Sequence, residues 1–67
     1  MHKVGDLLLS DNRKLGIIDK VCSDNTVRYS ITIYWFKENR KGLYSIEEAN
    51  VYRANLDTRI QTIRSSL

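Results

Sequence analysis

Of six aromatic side chains in this 67-residue chain, four fall within "VRYSITIYWF" (27–36): Tyr29, Tyr34, Trp35 and Phe36. Cations surround them, with Arg28 inside the stretch and Lys37, Arg40 and Lys41 following in "KENRKG" (37–42). Rings interleaved with cations suit two kinds of chemistry. One is stacking on the bases of single-stranded nucleic acid with neutralisation of its phosphates. The other is docking of a protein on an exposed aromatic patch.

Other reactive side chains are sparse. Asp6, Asp19, Asp24, Glu47 and Glu48 form no pair with an evident acid–base spacing, and no nucleophile–base pair or phosphate-cradling glycine loop stands out. No catalytic residue, cofactor or small-molecule substrate is therefore expected. Cys22, the only cysteine, precludes an intramolecular disulfide, and with His2 alone for company it makes no metal site. A lone thiol fits a reducing, intracellular setting. His2 is given no role.

The elements that must position the aromatic stretch can be read from periodicity. Val27, Tyr29, Ile31, Ile33 and Trp35 alternate with Arg28, Ser30, Thr32, Tyr34 and Phe36, which predicts one long strand. The first set forms an apolar face, with Tyr29 and Trp35 in the core. Tyr34 and Phe36 point the other way. "KVGDLLL" (3–9) and "KLGIIDKV" (14–21) read as earlier strands, separated by the polar turn "SDNR" and followed by the turn "CSDNT". "KENRKG" reads as a charged hairpin loop, and "LYSI" (43–46) as the strand that returns from it.

"SIEEA" (45–49) matches a capping box, in which Ser45 accepts from the amide of Glu48 and starts a helical turn. "NVYRA" (50–54) then reads as a last short strand. In the tail, Leu56, Ile60, Ile63 and Leu67 recur at spacings of four, three and four, an amphipathic helical stripe. A single helix from residue 46 onward is the alternative. Arg53 at a seam position and β-branched Val51 favour the broken version.

Bulk properties agree with one small globular domain: 42% hydrophobic and 28% charged residues, with a net charge of +3. No stretch is long and apolar enough for a membrane span, and the three leucines of "MHKVGDLLLSDN" fall short of a signal-peptide core.

Short strands, tight polar turns and one helical turn before the last strand predict a mainly β fold, a small five-stranded barrel over residues 1–54. Residues 55–67 are the helical tail, packed on the barrel or on a partner. "VGDLLL", then "GIIDKV", a tryptophan late in the third strand, and "YSIEEANVY" resemble an SH3-like barrel of the KOW and Tudor kind. More particularly, the array is similar to small SH3-like proteins of tailed bacteriophages over roughly residues 3–53. The resemblance implies a non-enzymatic interaction module, a structural component of a larger assembly such as a virion, located in the virion or the host cytoplasm. Its expected partners are other protein subunits, held by Tyr34, Phe36, Lys37, Arg40, Lys41 and Tyr44 on one face and by Leu56, Ile60 and Ile63 on the tail. The alternatives are a nucleic-acid-binding accessory factor of KOW or Tudor type and an inhibitor of a host protein.

Overall fold

The structure, a computed structural model, describes residues 2–24 and 26–66; the turn residue Asn25 and the stripe's last member Leu67 lie outside them. Strands β1 (Leu7–Leu9), β2 (Leu15–Val21), β3 (Ile31–Trp35) and β4 (Arg40–Tyr44) precede a single helix, α1 (Ile46–Ser65). The strands pair in sequence order as an antiparallel meander, β1-β2-β3-β4. Each connection joins antiparallel neighbours without a crossover: β1–β2 and β3–β4 by short polar turns, β2–β3 by the longer segment 22–30.

Register sorts the side chains onto two faces. Leu8, Gly16, Trp35 and Arg40 form one cross-strand row, and Ile18, Ile33 and Gly42 the next on the same face. Leu8, Ile18, Ile31, Ile33 and Trp35 are buried there with Ala49 of the helix. Burying one such aliphatic side chain contributes about 1.5–3 kcal/mol. Gly16 is required by this packing, because a Cβ at that position would lie 2.5 Å from Cε3 of Trp35.

The helix closes this inner face. Ser45 caps it, its Oγ accepting from the amide of Glu48 at 3.2 Å, as the "SIEE" box predicts. It packs chiefly along β1. Arg53 pairs with Asp6 at 3.0 Å, and Asn55 Nδ2 donates to the carbonyl of Leu9 and to Asp11 Oδ1, at 3.2 and 3.0 Å. His2 Nε2 lies 2.6 Å from Asn50 Oδ1, tying the first residues to the helix.

Several expectations are corrected here. The five-stranded SH3-like barrel does not form: the sheet is open, its edges are β1 and β4, and the domain is mixed α/β. The fifth strand was to come from residues 50–54, which are helical. The seam cation that argued for a break is neutralised by Asp6, and Val51 points to solvent, where a β-branched residue costs a helix little. Tyr29 is not core but 49% exposed: pairing between β2 and β3 ends at Val21 and Ile31, so the alternation of residues 27–30 runs into a loop. The "KENRKG" loop is also shorter than expected, since Arg40, Lys41 and Gly42 already belong to β4.

The molecule is elongated, 43 × 24 × 18 Å. A 20-residue helix is about 30 Å long, and residues 57–66 are exposed throughout. The second half of α1 therefore overhangs the sheet.

Candidate interaction surfaces

With one helix available, one face of the sheet stays uncovered. Its central row is Leu7, Ile17, Tyr34 and Lys41, followed by Leu15 on one side and by Thr32 and Leu43 on the other; Leu9, opposite Leu15, is buried, and Asn55 of the helix donates to its carbonyl. Leu7, Leu15, Phe36 and Leu43 are 45, 40, 46 and 66% exposed. Ile17, Thr32 and Tyr34 are half-buried between them. The Tyr34 ring stands edge-on to Phe36, with centroids 5.5 Å apart. Its hydroxyl donates to the side chain of Asn39, which sits at φ 53° in the β3–β4 turn. Two aromatic groups are thus held in place on an open apolar surface.

The rim of this face is charged but paired. A bulge shifts the β2–β3 register between Ile18 and Lys20 and frees Asp19 to meet Lys41 at 3.0 Å. Lys14 pairs with Glu38 toward the inner side, beside Trp35 and Tyr44, and that hydrogen bond holds the Glu38 carboxyl below the ordinary carboxylate range. Lys37 lies in the turn beside Phe36, exposed.

The expected contact residues divide between the two faces. Tyr34, Phe36 and Lys41 share the outer one. Tyr44 and Arg40 do not join them, because their rows place them on the inner face with Ile31 and Trp35. Tyr44 instead accepts a hydrogen bond from Trp35 Nε1 at 2.9 Å, and Trp35, Tyr44 and Tyr52 stack edge-on around one another at 5.6–5.9 Å. The trio packs against the buried core, with Tyr44 and Tyr52 themselves only partly buried. A polar cleft of about 400 Å³ borders the trio, lined also by Lys14, Glu38 and Arg40.

On the tail, Leu56 is half-buried, and Ile60 and Ile63 are 39 and 52% exposed. At 100° per residue they continue the face on which Ala49 and Tyr52 meet the sheet. A groove of about 320 Å³ separates this overhang from the β1–β2 turn, between Arg13 on one side and Asn55, Arg59 and Thr62 on the other.

Four aliphatic residues of the outer face, Leu7, Leu15, Ile17 and Leu43, are not among the contact residues expected from sequence. A signal for two of them was present. Adjacent apolar residues in "LLL" and "GII" place hydrophobes on both sides of a strand, the pattern of a sheet that is covered twice. Among the described residues, no cluster of three or more His, Cys, Asp or Glu is assembled, and no helix is long and apolar enough to cross a membrane. Comparison with protein-family models, curated proteins and solved structures finds no significant match.

Proposed function

We propose that this chain is a non-enzymatic protein-interaction module, a small subunit of a larger assembly, which docks through the uncovered outer face of its sheet. The observation that carries the reading is the set of Leu7, Leu15, Phe36 and Leu43 near Tyr34, exposed together on one face of the sheet. Contiguous apolar patches with a polar rim mark contact sites for proteins. Aromatic anchors at the centre of a patch tend to dominate the affinity of such contacts.

A small molecule would want a concave site, and the two clefts described above are lined by none of Leu7, Leu15, Phe36 and Leu43. The pairing of Lys41 with Asp19 leaves less free positive charge beside the rings than a phosphate backbone would use. An inhibitor of a host protein would use the same surface and differ only in its partner. A virion as the assembly has the phage resemblance of "VGDLLL" to "YSIEEANVY" as its support, and the open sheet adds nothing to it.

Sedimentation of a native-source lysate through a sucrose gradient, with and without nuclease, tests the proposal. The expected result is fast sedimentation of this chain that survives nuclease. Slow sedimentation as a free small protein, or collapse to that position on nuclease treatment, would overturn it.

A further inference from the structure

We propose that the overhanging half of α1 pairs with the same segment of a second copy of this chain, antiparallel about a two-fold axis. The inference goes beyond the reading above and needs nothing from the outer sheet face.

Leu56, Ile60 and Ile63 occupy alternating d, a and d positions of a heptad, the narrow seam that a partner helix fits and a sheet does not require. Ile60 and Ile63 are exposed, and they lie beyond the end of the sheet that covers Ala49 and Tyr52. The helix is already formed by its cap and its first half, so a partner need not supply its ordering.

Flanking charges identify the occupant. Asp57 and Arg64 hold e positions and Arg59 a g position, all exposed. Neither Asp57 nor Arg64 makes an ion pair among the described residues. In an antiparallel pair with Ile60 packed on the second copy's Ile63, the e positions of the two helices face one another. Asp57 then meets Arg64 of the second copy, and the two-fold repeats the contact. A parallel pair would instead set Arg59 against Arg64 across the seam, a repulsion that acts against that arrangement. The segment is complementary to itself in one orientation only.

The seam is short. Three apolar side chains per copy fall well below the roughly 800 Å² per partner of a standard interface, so association is expected at about 0.1–1 mM. Inside an assembly, where docking raises the local concentration, that is sufficient.

The test is sedimentation velocity of the full chain up to about 1 mM, in reductant to keep Cys22 from cross-linking. The wild type should shift from monomer to dimer. Asp57→Arg and Arg64→Asp should each weaken the dimer by about tenfold, since each turns two attractions into repulsions. The double variant should recover it. Both substitutions are at exposed sites, and an unchanged thermal melt confirms folding. A wild type that stays monomeric overturns the proposal, as does an Arg64→Asp variant that associates more tightly, the result for parallel pairing. Phe36→Asp with Leu43→Asp leaves the tail intact. If that pair of changes abolishes the dimer, self-association runs through the sheet face and the tail inference fails while the docking face stands.

Discussion

Arg13 occupies a backbone position that suits glycine. Its φ of 63° places it in the left-handed region at the end of the β1–β2 turn, where its amide donates to Ser10. A type I turn followed by a left-handed residue is a standard three-residue hairpin, and glycine at its last position avoids the Cβ clash. Arg13→Gly should therefore raise stability by about 0.5–1 kcal/mol, after allowance for the looser unfolded chain. Urea denaturation checks this, and a lower midpoint would show that the Arg13 side chain contributes more than its backbone costs. Tyr52 offers a second residue-level test. Burial, then the nearby Glu48, raises its phenol above the ordinary value. The folded state thus holds this proton more tightly than the unfolded chain does. The stabilising contribution is complete below the unfolded value of about 10 and is lost as pH climbs through the higher folded value. The melting temperature should stay level from neutral pH to about 9 and fall above about 10. Tyr52→Phe should reduce the alkaline fall; an identical fall in the variant would assign it to other groups.

The helix shows which elements local spacing reveals. Its start was legible, because a capping box is a four-residue pattern and Ser45 and Glu48 meet as that pattern requires. Ser45→Ala should cost about 1 kcal/mol, seen as a lower midpoint in helix-monitored melting; no change would mean that packing of Ala49 and Tyr52 alone sets the boundary. The helix's continuation through residues 50–54 was not legible in the same way. Arg53 breaks the apolar seam, and its partner Asp6 lies 47 residues away, outside any local window. That one misreading also produced the barrel, since the closing strand was drawn from those residues. For β3 the alternation of Ile31, Ile33 and Trp35 was sound, and it failed only where Val27 and Tyr29 kept the phase after pairing had stopped. The candidate site was half legible: Tyr34 and Phe36 were placed on the face away from the core, whereas Tyr44 needed the β3–β4 register to show that it faces Trp35.

At the scale of the whole molecule, one asymmetry carries the account. Four strands and one helix make two layers, so the inner face of the sheet is buried and the outer face keeps Leu7, Leu15, Leu43 and Phe36 in solvent. A small domain has little stability to spare, and a partner bound only to the folded state would add to it. Phe36→Asp with Leu43→Asp tests this most directly, because both side chains are exposed and contribute little to the isolated fold. The measurement is co-sedimentation of tagged wild type and double variant in native-source gradients, with the thermal melt of each purified chain as control. The expected result is an unchanged melt and a variant that leaves the fast-sedimenting fraction for the top of the gradient. A variant that melts like the wild type and still sediments with the assembly would contradict the outer face as the docking surface.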